Sequence, residues 1–211
     1  MNNFGRILKQ RDFWPLFGAQ ALGAFNDNFF RSALIAFVAF GAVSGDSEKT
    51  IVSALATGLM MLPFFLFSSA AGELADRMRK SSLMKLAKIF ELVIMIVAGI
   101  FFVIGDVYSL LGLLFLMGTQ SAFFGPVKYG LLPEVLYEKD LVSGNGLVEA
   151  ATFLAIVLGT LAGSWLVNVG VDNLQMGVGI DHIGQKVYLP LGLVVVAILG
   201  VLAALKQPES V

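Results

Sequence analysis

Apolar residues along this chain gather into six stretches, at 13–40, 51–71, 83–104, 108–127, 146–169 and 188–205, that meet or nearly meet the length of a membrane span. A helix crossing the bilayer core needs roughly 20 apolar residues at a rise of 1.5 Å each. The runs are continuous, whereas a lipid-exposed barrel strand alternates over about ten residues, so the pattern predicts helices. Short polar connections part them: GDSEK, GELADRMRKSS, GD, KYGLLPEVLYEKDLVSGN and DNLQMGVGIDHIGQK. The expected architecture is an all-α membrane protein of six transmembrane helices in one unit, 1–211. Its long first connection and tight later turns are compatible with an inverted three-plus-three repeat.

Composition sharpens this picture. The chain is 57% apolar and 14% charged, against about half and a quarter in soluble domains, and its mean hydropathy is +0.85. Net charge is −1, with no basic stripe interleaved with aromatics, which excludes nucleic acid as a partner. The absence of cysteine removes disulfides, thiolate metal sites and cysteine nucleophiles. The single histidine, His182, falls in a polar connection without convergent ligands and is expected to be a solvated loop residue. Arg6, Lys9 and Arg11 precede an apolar run of 28 residues, too long for the roughly 7–15 of a signal-peptide core.

Charge asymmetry gives an orientation. With the N-terminus cytoplasmic, that side holds Arg6, Lys9, Arg11, Arg77, Arg79, Lys80, Lys85, Lys88, Lys128, Lys139 and Lys206, which is 11 of the 14 cations. The other side holds Lys49 and Lys186, and Arg31 falls mid-span. Both termini are therefore expected in the cytoplasm.

The first run contains an anomaly, GAFNDNFFRSAL at 23–34. Gln20, Ala24, Asp27 and Arg31 share one helical face, with Asn28 beside it. Asp27 lies about 21 Å along the helix, near mid-membrane, where a charge costs about 2.5–3.5 kcal/mol and therefore faces a bundle interior or wet cavity. Two readings stay open: an Asp27–Arg31 pair that neutralises itself and holds helices together, or a substrate or coupling-ion contact. The neighbouring amides of Gln20, Asn26 and Asn28 weigh towards the second. Glu149, on a face with Asn145 and Thr152, is a second, shallower intramembrane carboxylate. Gly159 and Gly163 form a G-x-x-x-G step suited to close helix packing.

The connection GELADRMRKSS at 72–82 combines a glycine that would allow close helix approach with Asp76, Arg77, Arg79 and Lys80. It resembles the loop between the second and third helices of the major facilitator superfamily, close to G-x-L-A-D-R-x-G-R-K, and lacks only the later glycine. GAFNDN at 23–28, FGPVKYGLLPEV at 124–135 and NGLVEAATFLAIVLGTLAG at 145–163 together resemble the bacterial lysophospholipid transporter branch of that superfamily. The resemblance implies alternating-access movement of lysophosphatidylethanolamine-like lipids across the inner membrane. It places the family's first-helix aspartate on Asp27.

On this reading Asp27, Asn28, Gln20, Arg31 and Glu149 are the candidate substrate-binding residues. Gly72, Asp76, Arg77, Arg79 and Lys80 form a gating loop, with Asp76 expected at or just before the start of the third span. The superfamily has twelve helices, so the chain is expected to be an N-terminal half. Its partners would be the lysophospholipid, surrounding membrane lipids and a second six-helix half, in a missing C-terminal part or, less favoured, a second chain. Some relatives are fused to an acyltransferase and an acyl-ACP synthetase. The alternative within the superfamily is a carrier of another small solute or drug. An intramembrane enzyme is disfavoured, because no nucleophile–base cluster, metal-ligand pair or cofactor motif is present, and no metal or cofactor is expected.

Overall fold

The computed structural model describes residues 3–7, 9–175 and 187–209. His182 and Lys186 lie outside them. Among the described residues seven α-helices follow in order: α1 (Asn3–Ile7), α2 (Phe13–Phe37), α3 (Asp46–Arg77), α4 (Lys80–Ile104), α5 (Val107–Val135), α6 (Leu141–Gln175) and α7 (Leu189–Leu205). A π-helical turn, Val38–Ala42, ends α2, and a 3-10 turn, Glu138–Asp140, leads into α6.

Among the described residues, four segments are long and apolar enough to cross a membrane: Asp46–Arg77, Lys80–Ile104, Val107–Val135 and Glu138–Val167. α7 is apolar throughout but has 17 residues. α2 is diluted by its polar centre. Helices α3 and α6, of 32 and 35 residues, overrun the apolar stretches at 51–71 and 146–169. Polar residues at a helix end can continue it into the headgroup layer, so hydropathy marks the core of a span and not its helical limits.

Local chemistry sets the turns. Asp46 and Glu48 occupy the first turn of α3, where carboxylates suit the positive end of the helix dipole. Gly105 takes a left-handed φ of 86° and closes α4, as a residue without Cβ can at little cost. Asp106 then caps α5, accepting from the N–H groups of Tyr108 and Ser109 at 3.1 and 3.2 Å. The Ser109 hydroxyl, its N–H and that of Tyr108 together hold the Asp106 carboxyl below the usual range.

Helix α2 runs along α6 and α7, α3 along α5, and α4 lies against α5 and α7. Exchanging α2, α3 and α4 with α5, α6 and α7 leaves this neighbour pattern unchanged. Small residues set the tightest approaches: a Cβ on Gly159 or Gly163 of α6 would meet the carbonyl oxygens of Phe25 and Phe29 on α2, and one on Gly118 of α5 would meet that of Met60 on α3. Phe30, Met95, Phe102, Leu114 and Met117 fill the interior between these pairs. Large apolar side chains such as Phe65, Phe153 and Ile104 face outwards, as lipid contact permits.

One end of the bundle is tied by ion pairs. Arg6 of α1 pairs with the fully buried Asp140, which also accepts from Gln10 at 3.2 Å. Arg6 holds the Asp140 carboxyl below its ordinary range, and Asp140 in turn raises the guanidinium. Asp76 belongs to the last turn of α3, not to the start of α4 at Lys80, because the chain becomes extended only at Met78. Gly72 has nothing within 4 Å of where a Cβ would stand, so it does not serve the close helix approach expected of it.

Candidate functional site

A cavity of about 210 Å³ lies among α2, α3, α4, α5 and α6. Three of the candidate residues line it, Gln20, Asp27 and Asn28, brought to one side of α2 because Asp27 and Asn28 lie about two helical turns beyond Gln20. α4 contributes Lys88, α5 contributes Gln120, Ser121 and Lys128, and α6 contributes Thr152, while Phe64, Phe124 and Ile156 supply apolar wall.

Asp27 is held by only one of its oxygens. Ser121 Oγ donates to Asp27 Oδ2 at 2.7 Å, and the buried Oδ1 finds no hydrogen-bond partner among the described residues. Arg31 does not pair with Asp27. Its Nη2 donates to Asn28 Oδ1 at 2.8 Å, and Asn28 Nδ2 donates to the Ala24 carbonyl at 2.8 Å. The Asp27 carboxylate is drawn towards α5 by Ser121, while Asn28, three residues before Arg31, meets the guanidinium first.

At the wall of the cavity, through Lys88, sits an ion pair that the reading of the sequence missed. Lys88 Nζ donates to Glu91 Oε2 at 2.6 Å, both side chains being 1% exposed. Asn26 Nδ2 donates to Glu91 Oε1 at 3.1 Å, and Lys88 Nζ stands 5.2 Å from the centre of the Phe124 ring. The absence of a side chain at Gly23 makes room for Lys88 Nζ against α2. Lys88, Glu91 and Asp27 together carry one net negative charge when ionised. Lys88 and Glu91 are three residues apart on the face that also presents Ile94, Met95 and Ala98 to the core. That spacing was the available signal.

Glu149 does not line the cavity. It accepts from Lys128 Nζ at 2.9 Å and from Tyr129 Oη at 3.1 Å, so it acts through Lys128, which does line it. Gln20 Nε2 donates to Thr152 Oγ1 at 3.2 Å, tying α2 to α6. Lys88 and Lys128 are thus interior groups and leave the charge-asymmetry count at nine cations against two.

The connection at 72–82 stands apart from the cavity. Arg77 pairs with Glu73 at 2.6 Å within α3, Arg79 with Glu209 beyond α7 at 3.1 Å, and Lys80 with Glu134 at the end of α5 at 3.0 Å. Asp76 is exposed.

A buried carboxylate with one oxygen unpartnered among the described residues, beside a paired lysine within a bundle of long apolar helices, marks a candidate functional site. Over 149 residues, 70% of this chain, it is 33% identical to the lysophospholipid transporter LplT of Serratia proteamaculans (strain 568) and covers 34% of that protein. Against LplT of Yersinia pestis (strain Pestoides F) identity is 32% over the same extent. The chain is a homologue of lysophospholipid transporters. It spans about a third of the length of these curated relatives. Among solved structures, a bacterial homologue of the human lysosomal transporter Spinster, in an inward-facing and unoccupied conformation, matches with a TM-score of 0.60 at 19% identity, over 92% of this chain and 42% of that one. That likeness is one of fold. No family model matches the chain.

Proposed function

We propose that the chain forms the N-terminal six-helix half of a secondary transporter that moves lysophospholipids across the bacterial inner membrane by alternating access, with both termini cytoplasmic. The observation that carries this reading is the free Oδ1 of Asp27 inside a cavity with both polar and aromatic walls, on a homologue of lysophospholipid transporters. A lysolipid has a charged headgroup and one acyl chain. Asp27, Asn28 and Gln20 are placed for the first, and Phe64, Phe124 and Ile156 for the start of the second.

Support for a three-plus-three repeat comes from the neighbour pattern, which survives exchange of the two helix triplets. The superfamily's central cavity lies between two such halves, so Asp27 would face a second half. In the connection at 72–82, the Lys80–Glu134 and Arg79–Glu209 pairs tie the ends of α3 and α4 to α5 and to the segment after α7. Such pairs can latch one transport state, and Gly72, Asp76 and Arg77 would belong to that latch.

The direct test is uptake of labelled lysophosphatidylethanolamine by spheroplasts that express or lack the native gene product, beside a panel of sugars and cationic drugs. Expression-dependent uptake of the lysolipid is expected. Movement of a sugar or drug with no lysolipid uptake would assign the protein to small-solute transport instead, and movement of none would remove the transport reading.

A further inference from the structure

We infer that the groove between α2 and α7 is a binding site for a resident anionic phospholipid, separate from the transport cavity. The groove, of about 790 Å³, is lined by Arg11, Asp12, Trp14 and Pro15 at its mouth and by Leu22, Leu199 and Leu202 along its length. Lys206 and Ala203 complete it from the end of α7. It shares no lining residue with the cavity around Asp27.

The groove is polar at one end and apolar inwards. Arg11 and Lys206 are exposed cations, and Trp14 beside them is 46% exposed, the placement favoured by an indole at the headgroup level. Leu22 lies roughly 14 Å along α2 from its start. Leu199 and Leu202 stand about half exposed on the facing helix. A ligand that satisfies both ends is charged at the mouth and apolar for more than a nanometre below it.

Charge selects the headgroup. The N-terminus of α2 and the C-terminus of α7 meet at the mouth, so their opposed macrodipoles offset and side chains decide. Arg11 and Lys206 against Asp12 leave one net positive charge, which a phosphodiester with no ammonium group neutralises. A zwitterionic headgroup would leave that surplus unmet. Free phosphate would meet the charge but leave the leucines uncovered. Basic pockets between transmembrane helices are a recurrent place for acidic lipid headgroups.

The test uses fluorescence of the full chain in phosphatidylcholine vesicles. Trp14 and Trp165 are its two tryptophans, and Trp165→Phe leaves Trp14 as reporter. Brominated phosphatidylglycerol should quench Trp14 with an apparent affinity about fivefold above brominated phosphatidylcholine, the scale of one cation near an anionic lipid. Arg11→Gln with Lys206→Gln should erase that preference while leaving quenching by brominated phosphatidylcholine unchanged, which reports an intact groove. Equal quenching by the two lipids in the otherwise native chain, or a preference that survives the double change, overturns the site. Stronger quenching by brominated phosphatidylethanolamine than by phosphatidylglycerol overturns the choice of an anionic headgroup. Relief of quenching by millimolar inorganic phosphate, at constant ionic strength, overturns the lipid as its source. No outcome depends on what the protein transports.

Discussion

Ser121 Oγ donates a 2.7 Å hydrogen bond to Asp27 Oδ2, joining the middle of α2 to the middle of α5 and leaving the other, buried carboxylate oxygen without a hydrogen-bond partner among the described residues. A helix tether alone needs only the bonded oxygen. The second oxygen, desolvated and unmet, is what a cationic group, a coupling ion or a headgroup amine would complete.

The Lys88–Glu91 pair behaves differently, because both charges are met. Breaking one side strands the other: Glu91→Gln should destabilise the protein by about 3–5 kcal/mol, whereas Lys88→Met with Glu91→Leu should recover most of that loss. Thermal unfolding in detergent reads both. If the single and double variants melt together, the pair carries no structural load.

The α2–α6 contact rests on missing side chains. Gly159→Ala pushes a methyl into the Phe25 carbonyl and should cost about 1–3 kcal/mol. Gly146→Ala, an exposed glycine on the same helix with nothing within 4 Å of the new Cβ, is the matched control and should be neutral or slightly stabilising. A melting temperature unchanged by Gly159→Ala would show that the helices do not approach as closely as described.

Much of this was legible in advance, for physical reasons. An apolar run must become a helix in lipid because every backbone N–H and C=O has to be satisfied within the segment. The polar interruption around Asp27 was visible because charge is costly there. What stayed hidden was pairing across helices. Lys88 and Lys128 look like ordinary interfacial cations until Glu91 and Glu149 are seen beside them, and Ser121 has no signature marking it as Asp27's partner. Arg31 was a natural partner for Asp27 by spacing alone, yet side-chain direction gives it to Asn28. The docking of α1 through Arg6 and Asp140 joins residues 134 apart, beyond any local pattern.

That anchor should respond to acid. The Asp140 carboxyl is held below its ordinary value by Arg6, so its contribution is complete above the unfolded value of about 3.9 and is lost as pH falls through the lower folded value. Protease access at 9–12 should therefore rise only below about pH 4, and Asp140→Asn should give that higher access already at neutral pH. Access that does not change with either would detach α1 from the account.

Orientation can be read from single cysteines, since the chain has none of its own. Ser81 is buried, so the exposed Met78 is the better site at that end and Ser47 at the other. With Met78→Cys and Ser47→Cys in separate variants, an impermeant maleimide on intact spheroplasts should label Ser47→Cys alone. Labelling of Met78→Cys from outside reverses the assignment.

The central claim is that Asp27 serves transport through its charge. Asn keeps the size of the side chain and its acceptor for Ser121, and removes only the charge and the free carboxylate oxygen. Uptake of labelled lysophosphatidylethanolamine by spheroplasts expressing the Asp27→Asn gene product should fall to the level of cells without it, with membrane expression and melting temperature near normal. Uptake retained at the native rate would reduce Asp27 to a tether between α2 and α5 and contradict the account.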